Sequence, residues 1–168
     1  MTSSNFPPAQ FAPRRAFMLT AAIGASAALL PLPLYAQEVL NQLLKPATPD
    51  QVKAVIDGFL DGAQPVKQGL KLVMPVLGDN PAAVPVKVVF EMPITPQLYC
   101  EELIILAEGN PYPLACRFSF TPLAGTTEVA VRLRLIESQS VSAVARMSDG
   151  QFILARQAIT VTAGGCGM

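Results

Sequence analysis

The period of the hydrophobic pattern after Gly69 is the feature that most restricts the fold of this chain. From there apolar residues recur at every second position, and in 84–92 they share one face while Lys87 and Glu91 share the other. Such alternation is typical of strands with one buried and one solvated face. The candidate strands are 69–77, 84–92, 98–107, 114–121, 127–136, 139–147 and 151–162.

Turn motifs separate these candidate strands. Residues 78–81 and 108–111 contain Gly, Asn and Pro, and 148–150 reads Ser-Asp-Gly, a tight hairpin signal. About seven short antiparallel strands in ~100 residues are the profile of an immunoglobulin-like β-sandwich. The sequence therefore predicts an all-β fold of this class, with a small closed barrel as the alternative.

One short helix is expected before the strands. Thr48 offers an N-cap hydroxyl, Pro49 stands at the first helical position, and Gln51 follows three residues after the cap. Apolar residues then recur at helical spacing, so the helix should run from Pro49 to about Leu60.

Residues 1–36 read as an export signal. The twin arginine Arg14-Arg15 precedes an apolar, uncharged run from Leu19 to Leu34, which at about 16 residues is shorter than the ~20 that span a bilayer. Cleavage after Ala36 would leave a mature chain of 10 basic and 12 acidic residues, with a formal charge of −2 and no membrane segment. A retained membrane helix is the alternative. The expected domains are the signal 1–36, a sandwich 37–162 and a C-terminal arm 163–168.

The composition excludes several classes of function. The chain has no histidine, so Ser-His-Asp and Cys-His catalysis and imidazole metal sites are not available. Its three cysteines form no C-x-x-C pair, which argues against a structural metal. A formal net charge of 0 gives no electrostatic footprint for nucleic acid. We therefore predict no metal, no cofactor and no catalytic residue in this chain.

Two of the cysteines, Cys100 and Cys116, fall in neighbouring candidate strands. Cys116 shares a face with Phe118, and Cys100 shares its parity with Ile104 and Leu106. If the two strands form a hairpin, the thiols lie within a few residues of being opposite. A structural disulfide and two separate buried thiols are both open interpretations.

The third cysteine, Cys166, lies near the C-terminus among Gly164, Gly165 and Gly167. Glycine has no Cβ, so the backbone of a flexible arm is free and the thiol is uncrowded. No Lys, Arg or His adjoins Cys166 to stabilise its thiolate. This pattern indicates a carrier thiol that is presented to other proteins, whereas a frayed terminus without a role is the alternative.

The chain resembles the SoxY family, the sulfur-carrier subunits of the periplasmic thiosulfate-oxidising system. The resemblance rests on the twin-arginine signal, on 131–150 and on the ending 161–167, and it covers essentially the whole mature chain. The family typically ends in Gly-Gly-Cys-Gly-Gly, and this chain departs from that pattern with Met168 in place of the last glycine.

The resemblance implies a periplasmic carrier, not an enzyme, whose Cys166 holds sulfur intermediates covalently. It also implies a second β-sandwich subunit, SoxZ, as partner, and a haem enzyme, a di-manganese hydrolase and, in complete systems, a molybdenum enzyme that act on the cysteine. A thiol-disulfide oxidoreductase and a structural sandwich that forms intermolecular disulfides are the alternatives. Apolar residues on the expected wet faces, Val89, Ile105 and Val144, are candidates for a subunit interface or for burial under the helix.

Overall fold

The computed structural model describes Glu38 and residues 45–162. The chain divides into two compact units, residues 1–42 and 43–168, and the described part of the second unit is a β-sandwich with one helix. The predicted signal 1–36 and the predicted arm 163–168, with its cysteine, lie outside the described residues. No helix in the described ranges is long and apolar enough to cross a bilayer.

Helix α1 spans Pro49–Leu60, as the capping signals predict. Thr48 Oγ1 accepts a hydrogen bond from the Gln51 amide at 3.3 Å, and the Gln51 side chain accepts one from the Thr48 amide at 2.8 Å. This reciprocal pair satisfies two amides that the first turn leaves without partners. The helix ends at Asp61, which adopts a left-handed conformation with φ 48°.

Eight strands follow the helix, at positions close to the predicted ones. The predicted strand 69–77 forms as two strands, because its chain is interrupted before Pro75, which has no amide hydrogen to donate. The strands are β1 Leu70–Val73, β2 Leu77–Gly78, β3 Val84–Phe90, β4 Cys100–Ala107, β5 Leu114–Ser119, β6 Glu128–Leu133, β7 Gln139–Met147 and β8 Phe152–Val161. A short 3-10 helix, Pro122–Ala124, joins β5 to β6.

The strands form two sheets, so the sandwich is confirmed and the closed barrel is not adopted. One sheet has the order β1-β3-β6 and the other β2-β8-β7-β4-β5. All long neighbours are antiparallel, whereas the two-residue strand β2 pairs with the end of β8 in parallel. The predicted hairpin at 148–150 joins β7 to β8.

The main core lies between the two sheets. The alternation predicted for 84–92 is confirmed in β3, where Val84, Val86, Val88 and Phe90 are buried and Lys87 is not. These side chains pack against the inner face of the five-stranded sheet. The members that face them from β4, β7 and β8 include Leu103, Ile105, Val141, Ala143, Ala145 and Ile153.

A second core joins α1 to the outer face of the five-stranded sheet. Phe59 meets Phe152 edge to face, with ring centroids 5.7 Å apart, and Ile104 and Val144 are buried in the same cluster. This sheet is thus covered on both faces, and 103–107 and 141–145 are buried without interruption.

The burial corrects part of the predicted interface. Ile105 and Val144 are fully buried, Ile105 between the sheets and Val144 under α1. Val144 therefore has the second predicted environment, burial under the helix. Ile105 lies between the sheets, where neither interpretation placed it, since period-2 reasoning assigns one face of every strand to solvent. Of the three proposed residues, Val89 alone is half-exposed.

Candidate functional site

Strand β8 leads directly to the predicted arm, and β2 covers its last residues. The amide of Thr160 donates to the Val76 carbonyl at 2.9 Å, and the amide of Thr162 donates to the Gly78 carbonyl at 3.3 Å. In register, Leu77 lies beside Thr160 and Gly78 beside Val161. The backbone is therefore held in a sheet up to the last described residue before the arm.

Ser138 fixes the opposite side of the same strand end. Its hydroxyl accepts a hydrogen bond from the Val161 amide at 3.0 Å and donates to the Val161 carbonyl at 3.3 Å. Because Ser138 directly precedes β7, it extends the β7–β8 pairing beyond the last registered pair, Gln139 and Ile159. The chain leaves the sandwich from a fixed point.

Glycine at 78 allows β2 to approach the end of β8 closely. A Cβ at this position would lie 3.2 Å from Val161 Cγ1, 3.3 Å from Ile159 Cδ1 and 3.4 Å from Val84 Cγ2. The first two distances are shorter than ordinary carbon contacts. A side chain here would push β2 away from the base of the arm.

The residues predicted to carry the function, Cys166 with Gly164, Gly165 and Gly167, lie outside the described residues. Their connection to the sandwich is known from the chain itself. Cys166 is the fourth residue after Thr162, so their Cα atoms can be at most about 14 Å apart. Any protein that reacts with Cys166 must therefore approach the end of β8.

A groove of about 540 Å³ adjoins the base of the arm. Its lining includes Val161 and Thr162 from the strand end, Arg134 and Glu137 as charged groups, and the half-exposed Ile136. The groove shows that polar and apolar side chains both surround the point from which the arm leaves.

Of the two open interpretations of Cys100 and Cys116, the disulfide is not formed, and both residues are free thiols. Cys116 lies opposite Ile105 in the β4–β5 pairing, five residues along β4 from Cys100. Five residues of strand span about 16 Å, far more than the ~4.4–6.8 Å between Cα atoms that a disulfide bridges. The structure thus agrees with the second interpretation, two separate thiols. Cys100 is buried and Cys116 is half-buried.

A β-bulge explains why the expected parity of Cys100 was wrong. The β4–β7 register shifts between Cys100 and Glu102, so the residues beyond the bulge change face relative to Cys100. Cys100 therefore lies in the core between the sheets, whereas Ile104 and Leu106, predicted to share its face, pack under α1.

The environment of Cys100 makes its thiol unreactive. The side chain is 3% exposed, and its Sγ donates a hydrogen bond to the Glu102 carbonyl at 3.3 Å. Burial raises the pKa of the Cys100 thiol from 9.0 to about 12. Burial also raises the pKa of Cys116. Thiolates are the nucleophilic form, so neither sandwich thiol is suited to chemistry near neutral pH.

The raised pKa of Cys100 predicts a pH-dependent loss of stability. Below pH 9 the thiol is protonated in the folded and the unfolded chain. Between pH 9 and about 12 it ionises only in the unfolded chain, which draws the equilibrium toward unfolding. We expect the difference in free energy of unfolding between the natural chain and Cys100→Ala to shrink from pH 8 to pH 10.5 in urea titrations. A difference that stays constant over this range would contradict the buried thiol.

Two carboxylates with little exposed side-chain surface, Glu102 and Glu108, are engaged in ion pairs. Glu108 accepts from the Ser142 hydroxyl at 2.5 Å and pairs with Arg156, and Glu102 pairs with Arg117 at 2.6 Å. Across residues 45–162, no group of three or more Cys, Asp and Glu residues is arranged to hold a metal ion. These contacts tie strands together in the described domain.

Comparison with protein families places the site in context. The family model for sulfur oxidation protein SoxY matches residues 56–166. The chain belongs to the SoxY family. The matched residues begin inside α1, include all eight strands and end at Cys166, so the cysteine identified from its glycine-rich surroundings is the last residue of the family match.

Solved structures share the fold of this SoxY-family chain. The sulfur carrier protein SoxY from Chlorobium limicola f thiosulfatophilum is 21% identical with a TM-score of 0.55, and the match covers 68% of this chain and 99% of that one. A variant of the superoxide reductase (neelaredoxin) from Ignicoccus hospitalis is 19% identical with a TM-score of 0.50, covering 70% of this chain and 94% of that one. No curated protein sequence matches the chain. At these identities the two structures support the fold.

Sequence reasoning did not find two contributors to the arm base. Ser138 is one serine among several, and its contact with Val161 spans 23 residues of chain. Residues 76 and 77 were predicted to end the strand 69–77, and Gly78 to begin a turn, although Pro75 gave a signal for an interruption.

Proposed function

We propose that this chain is a covalent sulfur-substrate carrier in thiosulfate oxidation and that Cys166 is the residue that holds the cargo. The observation that carries the proposal is the SoxY family match, which ends at Cys166. The fixed strand end supports it, because Ser138 holds Val161 and Gly78 holds Thr162, only five and four residues before the cysteine. A rigid base and a short glycine-rich arm suit a thiol that is delivered into another protein.

The loading step joins thiosulfate to the thiol. A new S–S bond forms between Cys166 Sγ and the outer sulfur of thiosulfate, the thiol proton passes to solvent, and two electrons pass to a haem enzyme. The product is a cysteine S-thiosulfonate with one negative charge. This chain supplies the sulfur nucleophile and its position, and the oxidant belongs to the partner enzyme.

The unloading step is a hydrolysis. Water, activated by a di-manganese hydrolase, attacks the sulfonate sulfur and breaks its bond to the sulfane sulfur. Sulfate and a proton leave, and Cys166 keeps the sulfane sulfur as a persulfide. In complete systems a molybdenum enzyme takes six electrons from that remaining sulfur, and three water molecules supply the oxygens of the resulting cysteine S-sulfonate. A second hydrolysis then releases sulfate and a proton and returns the free thiol.

The role of carrier also agrees with the rest of the chain. Without histidine the chain lacks the commonest general base. Its two sandwich thiols have raised pKa values because they are buried. A thiol-disulfide oxidoreductase needs a resolving cysteine within reach of the first, and the burial of Cys100 argues against that alternative.

The proposal includes the location and the partners of the chain. The twin-arginine motif Arg14-Arg15 supports export to the periplasm as a folded protein. A SoxZ-like β-sandwich subunit is the proposed permanent partner. The three metal enzymes are the proposed transient partners.

Mass spectrometry of the native protein tests the proposal. On the peptide that contains Cys166 we expect adducts of about +32 Da for a persulfide and about +112 Da for a thiosulfonate, because a nucleophilic thiol retains its sulfur cargo. The Cys116 peptide of the same sample is the internal control and should carry neither. A disulfide from Cys166 to Cys100 or Cys116 would favour the oxidoreductase, and a covalent dimer as the sole species would favour the structural alternative.

A further inference from the structure

A run of exposed apolar residues lies between β1 and β2. In residues 73–77 the side chains of Val73, Val76 and Leu77 are 46%, 75% and 52% exposed. Isolated exposed apolar residues are common, but three within one five-residue segment are a cluster, and clustered exposed apolar residues mark an interaction site more often than they serve folding. We call residues 73–77 the apolar segment.

The apolar segment continues into a groove on the three-stranded sheet. The groove has a volume of about 500 Å³ and is lined by Val73 and Pro75 together with Pro85, Ala130 and Arg132 from β3 and β6. These residues lie on the outer face of the sheet, where the register places Pro85 beside Arg132 and Lys87 beside Val73. Helix α1 packs on the other sheet, so within the described residues no element covers this face.

Basic side chains border the groove. Arg132 lines it directly, and Lys71 is exposed on the same face of β1. Neither forms an ion pair with a carboxylate of residues 45–162, whereas Lys87 pairs with Glu128 at 3.2 Å. The surface therefore combines an apolar centre with the positive charge of Arg132, which has no ion-pair partner in residues 45–162, and it complements an apolar surface with acidic groups around it.

Hydrogen bonds connect the apolar segment to the base of the arm. The Val76 carbonyl accepts from the Thr160 amide at 2.9 Å, and Leu77 pairs with Thr160 in β2. Since Cys166 can lie at most about 14 Å from Thr162, a protein whose active site reaches this cysteine must come within that distance of the strand end. The apolar segment is an exposed apolar surface that such a protein meets beside the arm.

We propose that the apolar segment, with the adjoining groove and Arg132, is the docking surface for the enzymes that receive the arm, and that it binds an apolar enzyme surface bordered by acidic groups. The inference rests on the proposed carrier function and adds to it the residues of contact. A brief encounter suits the surface, because its centre is one five-residue segment and one groove, whereas a stable subunit interface needs about 800 Å² from each partner.

Steady-state kinetics with loaded carrier tests the docking surface. The substrate is the full mature chain with its partner subunit, loaded with thiosulfate, and the enzyme is the sulfate-releasing hydrolase. Val76→Asp places a charge in the centre of the patch, and we expect KM for the carrier to rise about tenfold with kcat within about twofold, since binding and not chemistry is impaired. The matched control is Leu123→Asp, which puts the same charge on an apolar residue that is 93% exposed in the turn before β6.

A second variant tests the charged border. Arg132→Glu should raise KM at low salt and weaken its salt dependence, because steering between opposite charges is screened by ions. Circular dichroism and thermal melting should show that all three variants stay folded, as each substituted side chain is exposed.

Three results would show whether the docking surface or the carrier function is wrong. Unchanged KM in both Val76→Asp and Arg132→Glu would overturn the docking surface. Loss of co-elution with the partner subunit in size-exclusion chromatography would overturn it too, because the face would then be the subunit interface. Undiminished sulfate release from a Cys166→Ser carrier would instead overturn the carrier function itself.

Discussion

Replacing Cys166 by serine is expected to abolish thiosulfate-dependent electron transfer in a mixture of the carrier, its partner subunit and the oxidising enzymes. The serine oxygen cannot form the S–S bond that holds thiosulfate, so no later enzyme receives a substrate. The expected loss is complete within detection, and it should appear as missing reduction of the haem acceptor. Because Cys166 follows β8, the last strand of the described residues, we expect no change in the free energy of unfolding.

Cys116→Ser is the matched control for that experiment. It removes a half-buried thiol of the sandwich and leaves the arm untouched, so turnover should remain near that of the natural chain. Labelling both variants with a thiol reagent also shows which of the three cysteines reacts. Normal turnover by Cys166→Ser, or equal losses in the two variants, would contradict the assignment of the cargo to Cys166.

The local periodicities predicted most of the elements. The capping residues Thr48 and Gln51 fixed the start of α1, and alternation located β3 and β6 within two or three residues of their ends. Helix caps and hydrophobic alternation depend on residues that are close in sequence, so they can be predicted from the sequence alone. The boundaries that failed, between β1 and β2, lie where Pro75 interrupts the pairing.

Sequence reasoning failed where distant contacts decide the outcome. Alternation assigns one wet face to each strand, but α1 covers the second face of the five-stranded sheet and buries Val144. The bulge after Cys100 likewise depends on the pairing with β7, 40 and more residues away. The period of the hydrophobic pattern alone therefore could not predict on which face each residue of β4 lies. It also could not predict how far Cys100 lies from Cys116.

The candidate site likewise contains residues that local sequence features identify and residues that only distant contacts reveal. Cys166 could be identified because glycines and a chain end are local features. The residues that hold the base of its arm could not, because the Ser138–Val161 and Gly78–Thr162 contacts join segments that are far apart in sequence. The apolar segment could not be predicted for the same reason. Val76 is exposed because no other segment of the described chain covers it, and the local sequence does not show which segments pack together.

Ile105→Ala should cause a large loss of stability. Ile105 is fully buried between the sheets, opposite Ala143 on one side and Cys116 on the other. Deleting its methyl and methylene groups leaves a cavity that rigid strands cannot close. The expected cost is about 2–5 kcal/mol, a large part of the roughly 5–15 kcal/mol that stabilises a domain.

Ile136→Ala is the matched control, because it makes the same chemical change at an isoleucine that is 43% exposed. Its cost should stay within about 0.5 kcal/mol, as for other surface truncations. Urea titrations of both variants at one pH give the two values, and the midpoint should move for Ile105→Ala with little change in slope. Equal shifts in the two variants would mean that the space between the sheets is not the main core. In that event the strand end at Val161 would lack the rigid support on which delivery of Cys166 depends, since Ile159 and Val84 beside it belong to the same cluster.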